Sequence, residues 1–292
     1  MVIEADGVRL AFSGDVGRKH LPILRDPVTP DSVDYLIMES TYGDRFHKPV
    51  ADVAATLADV VNRTAGRGGR IIVPSFAVGR TQQLVMILHQ LIHAHRIPSI
   101  PIFVDSPLAV NATEVFRKHP ECYDEETRKF LVDGDDPFGF SRLRYIRDVN
   151  ESKALNDLHG PFLVLSASGM CEGGRILHHL RNNIEDPRNT ILITGFQAEY
   201  TLGRKIVNRD REVPIFGEPM QLRAEVVSLD ALSGHADQGE LIEWMRPLAP
   251  HLKKVFLVHG ELAQGAALAE VIRKEFRVEV QQPSRGHSFL LN

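Results

Sequence analysis

The sequence contains few cysteines and no long hydrophobic run. Its two cysteines, Cys122 and Cys171, are too few for a disulfide framework or for a zinc site built from thiolates, which fits a reducing compartment. No apolar stretch approaches the roughly 18 residues that a membrane span needs. The first residues, MVIEADGVRLAFSGD, include early acidic residues and lack the apolar core of a signal peptide. We therefore expect a cytoplasmic protein that does not contact a membrane.

The chain also lacks an excess of basic residues. It carries 34 lysines and arginines against 38 aspartates and glutamates, which is a formal net charge of −4. A nucleic-acid partner would therefore have to meet a local basic patch, because the field of the whole protein is not positive. With 43% hydrophobic and 25% charged residues, the composition is that of a globular protein. The length of 292 residues leaves room for about two domains.

Short apolar runs recur along the chain, and each ends in a small or polar residue. They are rich in β-branched residues without alternation, which indicates strands buried on both faces, as in a parallel sheet covered by helices. The predicted strands are Val8–Phe12, Tyr35–Met38, Ile71–Val73, Ile100–Val104, Phe162–Leu165, Ile191–Ile193 and Val255–Val258. The predicted helices are Val50–Thr64, Gly79–His95, Pro107–Lys118, Gly174–Asn183, Gln238–Arg246 and Gln264–Phe276. Strands that alternate with helices predict an α/β fold.

Several predicted strand-to-helix loops share a composition of small residues with a nearby arginine. Small residues let the backbone approach a ligand, and the free N–H groups at a helix N-terminus favour an anion. In open parallel sheets, ligands bind beyond the carboxyl ends of the strands. The loops therefore predict a phosphate-lined crevice, although many α/β loops look like this for topological reasons alone. The candidate contacts to RNA phosphates are Ser75, Arg80, Ser106, Ser168, Gly169 and Arg175.

Four further polar residues stand where apolar strands end, and they are Asp15, Glu39, His235 and His259. Each is flanked by glycine or serine, which opens space for a ligand. Carboxylates and imidazoles together form the ligand set of zinc, manganese or iron. One such residue more often forms a turn or completes a hydrogen bond, but four in the same setting favour a site.

Six motifs follow one another in a fixed order along the chain. They are Phe-Ser-Gly-Asp-Val-Gly-Arg (12–18), Met-Glu-Ser-Thr-Tyr-Gly-Asp-Arg (38–45), Val-Pro-Ser-Phe-Ala-Val-Gly-Arg (73–80), Ser-Ala-Ser-Gly-Met (166–170), Ser-Gly-His-Ala-Asp (233–237) and Val-His-Gly-Glu (258–261). This series resembles the β-CASP branch of the metallo-β-lactamase superfamily, which includes RNase J-like enzymes and the cleavage subunit of pre-mRNA 3′-end processing. The resemblance implies a zinc-dependent RNA-processing ribonuclease that hydrolyses phosphodiesters with metal-activated water.

The resemblance also implies a role for each of the four polar residues. Asp15 matches the aspartate that bridges two zinc ions, and His259 matches the last zinc ligand of the family. Glu39 matches an acidic residue that hydrogen-bonds behind the ligands, and His235 matches a histidine that stabilises or protonates the leaving phosphate ester. On this basis Asp15 and His259 are the expected metal ligands, and Glu39 and His235 are the expected catalytic residues.

The fold that the resemblance implies is the C-terminal part of an αββα sandwich with an inserted α/β cap. Residues 1–45 would form the first segment of the metallo-β-lactamase domain. Residues 46–208 would form the β-CASP cap domain, and residues 209–292 the return segment of the first domain.

The family's main ligand cluster, His-x-His-x-Asp-His, is absent from the sequence. Its nearest approach, His93-Ala94-His95, falls in a predicted helix, where residues two apart point about 200° apart and cannot chelate one ion. The remaining two ligands are too few for two zinc ions. We therefore expect a chain that begins where the second half of the family's catalytic domain begins, through truncation, a mis-called start or genuine loss, and that is not competent alone. Besides RNA, the expected partners are a complementing N-terminal half or a second copy of the chain.

Two other functions stay open at this point. One is a non-catalytic RNA-binding or scaffolding subunit of the same family, although a pseudoenzyme has no chemical need to retain all four polar residues. The other is a nucleotide-binding α/β protein, which the sequence disfavours because it contains no Gly-x-x-x-x-Gly-Lys-Ser/Thr motif. The lone tryptophan, Trp244, is predicted to pack in the core and not to stack on a base.

Overall fold

The computed structural model describes the backbone of residues 1–292 and every side chain apart from that of Asp230. The chain divides into two compact units. The first consists of Met1–His20, Asp26–His47 and Ser233–Asn292, and the second consists of Leu21–Arg25 and Lys48–Leu232. The second unit therefore extends beyond residue 208, where the sequence places the end of the cap. The extension reflects packing, because a strand at Glu225–Ser228 joins the sheet of the second unit, and the division into domains stays a prediction.

Strands and helices alternate along most of the chain. The strands are β1 (Val2–Ala5), β2 (Val8–Phe12), β3 (Tyr35–Glu39), β4 (Ile71–Pro74), β5 (Ile102–Asp105), β6 (Leu143–Ile146), β7 (Leu163–Ser166), β8 (Thr190–Ile193), β9 (Glu212–Ile215), β10 (Glu218–Gln221), β11 (Glu225–Ser228), β12 (Lys254–Val258) and β13 (Glu279–Gln281). The α-helices are α1 (Val53–Gly66), α2 (Arg80–His93), α3 (Pro107–Lys118), α4 (Glu125–Val132), α5 (Val149–Ala154), α6 (Ile176–Asn183), α7 (Leu202–Val207), α8 (Gln238–Met245) and α9 (Leu262–Phe276). Every predicted strand and helix has a counterpart here. Among the described residues, no helix combines the length and the apolar character that crossing a membrane requires.

The first unit is built on a sheet with the strand order β1-β2-β3-β12-β13. The strands β2, β3, β12 and β13 run parallel, and β1 pairs with β2 in the antiparallel sense. Leu36 of β3, Leu257 of β12 and Leu268 of α9 belong to one buried cluster that also includes Trp244 of α8. The Trp244 indole N–H donates to the Val28 carbonyl at 3.3 Å. The prediction that this tryptophan packs in the core is confirmed.

The second unit contains a sheet with the strand order β11-β8-β4-β7-β5-β6, in which every pairing is parallel. All residues of β4, β5, β7 and β8 are buried. This burial explains the uninterrupted apolar runs in the sequence and confirms the predicted α/β fold with a parallel sheet. Because the strands are parallel, their carboxyl ends and the loops that follow them lie along one edge, which is called the carboxyl edge below.

The sequence His93-Ala94-His95 lies at the end of a helix and not within it. Helix α2 ends at His93, and His95 has a φ angle of +53°. The prediction that both histidines are helical is therefore wrong for His95. The physical reason is that Pro98 follows within one turn, and proline lacks the N–H that a continuing helix would need.

Candidate metal centre and phosphate loops

Three residues of the first unit converge as potential metal ligands. Asp15, His235 and His259 each offer a ligand atom, and these atoms lie within 4.8 Å of one another. Oδ1 of Asp15 is 3.8 Å from Nδ1 of His235 and 3.9 Å from Nδ1 of His259. One carboxylate with two imidazoles fits zinc, which in catalytic sites takes three protein ligands and keeps a further position open.

These residues meet because they follow neighbouring strands of the first sheet. The strands β2, β3 and β12 are adjacent and parallel, so their carboxyl ends share one edge. Asp15 lies three residues after β2, Glu39 is the last residue of β3, and His259 directly follows β12. His235 lies shortly before α8 and is hydrogen-bonded to Glu39. The four polar residues that the sequence singles out are therefore brought together.

The buried carboxylate of Glu39 holds two parts of this cluster. The residue is only 1% exposed, and its Oε1 accepts the backbone N–H of Val16 at 2.7 Å. Its Oε2 lies 2.8 Å from Nδ1 of His235. Because a carboxylate accepts, Nδ1 of His235 is the donor in this hydrogen bond. Glu39 thus sets the tautomer of His235 and fixes the loop that carries Asp15.

Thr41 is a member of the site that the sequence analysis missed. Its hydroxyl donates to the His259 carbonyl at 2.8 Å, and Oγ1 lies 3.1 Å from Nδ1 of His259 and 3.4 Å from Nδ1 of His235. Thr41 is buried and follows Glu39 by two residues. It therefore positions the His259 backbone and contacts both imidazoles. The Glu-Ser-Thr motif that contains Glu39 also contains Thr41, so the sequence carries a signal for this residue.

A buried ion pair connects the Asp15 loop to the start of α8. The Arg18 side chain is 7% exposed, and its Nε lies 2.9 Å from Oε1 of Glu240. Oε2 of Glu240 accepts the backbone N–H of Asp237 at 2.9 Å, and the Asp237 side chain in turn caps α8. Because Asp237 lies two residues after His235, this network fixes the loop of Asp15 and the loop of His235 relative to each other.

Replacing Glu240 with glutamine is expected to lower zinc affinity about tenfold, because groups that orient metal ligands typically contribute ten- to hundredfold. Glutamine keeps an oxygen for the Asp237 N–H but loses the charge that holds Arg18. The matched control is Glu243→Gln on the same helix, whose ion pair with Lys19 is exposed to solvent. Competition against a chromophoric zinc chelator measures both variants. Equal affinities for the two variants and the unchanged protein would contradict the positioning role of Glu240.

The candidate phosphate loops lie at the carboxyl edge of the second unit. Ser75 follows β4, Ser106 follows β5, and Ser168 comes two residues after β7, the strand between β4 and β5. Their hydroxyls are used within the protein. Oγ of Ser75 lies 3.0 Å from Oγ1 of Thr81, Ser106 caps α3, and Oγ of Ser168 accepts the Glu172 N–H at 3.0 Å. The serine side chains therefore shape these loops.

The two candidate arginines also stand at the carboxyl edge. Arg80 is the first residue of α2 and is 6% exposed. Nη1 of Arg175 donates to Oδ1 of Asp105 at 2.7 Å, and 19% of the Arg175 side chain is exposed. Arg175 therefore already has an internal partner, which the sequence did not indicate.

Gly169 is the remaining candidate contact in these loops. Its backbone carbonyl accepts a hydrogen bond from the Gln197 side chain at 3.0 Å.

Asp105 is the centre of a buried polar network in the second unit. The residue is the last of β5 and is fully buried. Besides Arg175, it receives hydrogen bonds from Nε2 of His179 at 2.7 Å and from Oγ of Ser152 at 2.6 Å. Burial raises the pKa of Asp105, but the hydrogen bonds from His179, Ser152 and Arg175 outweigh this effect and hold the pKa below its ordinary value of 3.8. Asp105 is thus an ionised group neutralised from within the fold.

Two family models match parts of the chain. The Beta-Casp domain matches residues 81–206, a range that includes Asp105 and His179. The Zn-dependent metallo-hydrolase RNA specificity domain matches residues 219–283, a range that includes His235 and His259. Asp15 lies outside both matches.

Curated proteins are similar to most of the chain. A ribonuclease of Thermus thermophilus is 37% identical over 272 residues, which cover 93% of the chain and 62% of that protein. An RNase J-like protein of Methanocaldococcus jannaschii is 31% identical, with coverage of 97% and 66%. The transcription termination factor FttA of Methanosarcina mazei is 31% identical, with coverage of 94% and 45%. The chain thus spans between 45% and 66% of the length of these relatives.

Proposed function

The chain belongs to the β-CASP branch of the metallo-β-lactamase superfamily, and we propose that it serves a zinc-dependent ribonuclease that processes RNA. The observation that carries the proposal is the convergence of Asp15, His235 and His259, whose ligand atoms lie within 4.8 Å of one another. One of the two matched models is described as a Zn-dependent metallo-hydrolase RNA specificity domain. The names of the ribonuclease and RNase J-like relatives support the same reaction class.

Asp15 and His259 would hold the metal, and His235 lies beside them, with its Nδ1 3.8 Å from Oδ1 of Asp15. Bound zinc would lower the pKa of a water molecule and neutralise charge that develops on the phosphodiester. In our proposal the Glu39–His235 pair supplies a proton to the leaving ester oxygen, because a buried carboxylate that accepts from Nδ1 stabilises the protonated imidazole. Thr41 keeps the His259 backbone in position through its hydroxyl.

The carboxyl edge of the second unit is our proposed contact for the RNA backbone. The loops of Ser75 and Ser106 lead into the starts of α2 and α3, where phosphates are favoured, and Ser168 lies on the loop between β7 and α6. Arg80 stands at this edge as the first residue of α2, and Arg175, although paired with Asp105, keeps 19% of its side chain exposed. Gly169 lies in the third loop, where the absence of a Cβ lets the Phe76 ring pack against its backbone.

Changing Arg80 or Arg175 to alanine is expected to weaken binding of single-stranded RNA and to reduce the slope of log affinity against log salt by about one unit, since each lost phosphate contact releases one fewer counterion. The matched control is Arg188→Ala, because Arg188 is exposed, pairs with Asp186 and precedes β8 at the opposite edge of the sheet. Binding measured by fluorescence anisotropy at several salt concentrations gives the slopes. An unchanged slope in both Arg80→Ala and Arg175→Ala would remove this edge from the proposal.

A further inference from the structure

Phe76 is an exposed aromatic residue at the carboxyl edge of the second unit, and the site described above gives it no role. It follows β4 by two residues, and 42% of it is exposed. Its ring lies against two glycines. A Cβ atom built on Gly169 would stand 2.8 Å from Cδ2 of the ring, and one built on Gly195 would stand 3.4 Å from Cε2. Gly169 follows β7 and Gly195 follows β8, the two neighbours of β4, so the ring lies across the ends of three adjacent strands.

Buried polar side chains fix the backbone segments that contact this ring. Nε2 of Gln197, which is 4% exposed, donates to the Gly169 carbonyl at 3.0 Å and to the Gly195 carbonyl at 3.1 Å. The Phe76 carbonyl accepts from Oγ1 of the buried Thr81 at 2.8 Å. The two glycines are thus fixed relative to each other, and the backbone of Phe76 is fixed to α2. A ring mounted in this way is preorganised and loses little entropy when a ligand covers it.

A positively charged residue of α7, Arg204, is bonded to the loop that follows β8 and that contains Gly195. Nε of Arg204 donates to the Gln197 carbonyl at 2.7 Å, and the guanidinium carbon lies 5.7 Å from the centroid of the Phe196 ring. Sites for single-stranded nucleic acid combine aromatic platforms with cations in this manner, because every base has a π-face and every nucleotide has a phosphate.

We propose that the exposed face of Phe76 is a stacking platform for an unpaired base of the RNA. The backbone of Gly169 and Gly195 lies against the ring, and the 42% of Phe76 that is exposed remains for a flat partner. The inference rests on the proposed RNA function and adds to it a recognition element for the base, next to the contacts proposed for the phosphates. Because a paired and stacked base cannot cover the ring, the platform selects single-stranded RNA over duplex.

The test compares two labelled probes of equal length, an oligoadenylate and an abasic ribose-phosphate chain, in anisotropy titrations against the full chain. The unchanged protein is expected to bind oligoadenylate more tightly than the abasic probe. Phe76→Ala should weaken oligoadenylate binding by roughly tenfold, the scale of one base–aromatic stack, without altering abasic binding or the salt slope. Phe76→Trp should retain the preference for oligoadenylate. Val78→Ala, at a residue that is 61% exposed and lies two positions away, should bind both probes as the unchanged protein does.

The outcomes separate the platform from the wider function. If the protein binds oligoadenylate and Phe76→Ala binds it equally well, the platform is refuted while the RNA function stands. If Val78→Ala loses as much affinity as Phe76→Ala, the effect is a general loss of apolar surface and the platform is again refuted. If the unchanged protein binds neither probe, the proposed RNA function fails, and the platform fails with it.

Discussion

Ribonuclease activity of the 292-residue chain is expected to be undetectable with added zinc or manganese, and to be gained when a polypeptide with the His-x-His-x-Asp-His motif is fused to it or supplied separately. Asp15, His235 and His259 offer three ligand atoms, which is a set for one ion. The resemblance implies two ions, and a pair of metals stabilises both the attacking and the leaving oxygen of a phosphodiester displacement. Cleavage of a labelled oligoribonucleotide measures the gain.

In the complemented protein, Asp15→Ala is expected to lower cleavage by more than about a hundredfold, because a direct ligand matters more than the groups that orient it. At saturating zinc, His235→Ala should lower kcat while RNA binding stays nearly constant, as expected for a proton donor that acts only in the transition state. Metal-dependent cleavage by the isolated chain that Asp15→Ala abolishes would refute this account. Tight RNA binding without cleavage in the complemented protein would favour the non-catalytic subunit instead. Asp15→Ala also controls for a contaminating ribonuclease, whose activity the substitution would not change.

Asp105→Asn is expected to lower the free energy of unfolding by about 3 kcal/mol, the scale for breaking a buried ion pair by removing one partner. The substitution leaves Arg175 without its countercharge and places an amide N–H₂ opposite His179 or Ser152. Urea denaturation followed by far-UV circular dichroism measures the change. Hydrogen exchange should locate the loss in residues 48–232.

The effect of Asp105→Asn should also depend on pH. The pKa of Asp105 is lower in the folded protein than its ordinary value of 3.8. The ionised carboxylate therefore contributes its full stability above that value, and the contribution is lost as the pH falls through the lower folded pKa. The difference in free energy of unfolding between Asp105→Asn and the unchanged protein should therefore be largest at neutral pH and become smaller below pH 3.8. The control is Asp186→Asn, which breaks an exposed pair with Arg188 and should change stability little. Equal stability of Asp105→Asn and the unchanged protein at neutral pH would contradict the network.

The buried central strands could be predicted from the sequence, whereas the outermost strands of the second sheet could not. The run at Ile71–Pro74 is buried at every residue, so its apolar character is visible without any structure. The strands β6 and β11 lie at the two edges of the second sheet and have mixed burial. Strands of this kind lack a continuous apolar run, and their pairing partners set them more than their own residues do.

The candidate metal centre was more visible in the sequence than the network around Asp105. Asp15, Glu39, His235 and His259 each stand in a recognisable motif at or near a strand end. The hydrogen-bond partners of Asp105 stand in none of the motifs and come from distant parts of the chain. His179 is 74 residues from Asp105, and the Thr41 hydroxyl reaches a carbonyl 218 residues away. Only the packing of the strands brings such residues within hydrogen-bond distance.

Zinc titration of the purified chain decides whether Asp15 and His259 hold a metal ion beside His235. Isothermal titration calorimetry gives the stoichiometry and the affinity in one experiment. We expect one zinc ion per chain and an affinity that falls more than about a hundredfold in both Asp15→Ala and His259→Ala, while the exposed-pair variant Glu243→Gln binds zinc as the unchanged protein does. Zinc bound with unchanged stoichiometry and affinity by both Asp15→Ala and His259→Ala would contradict this expectation.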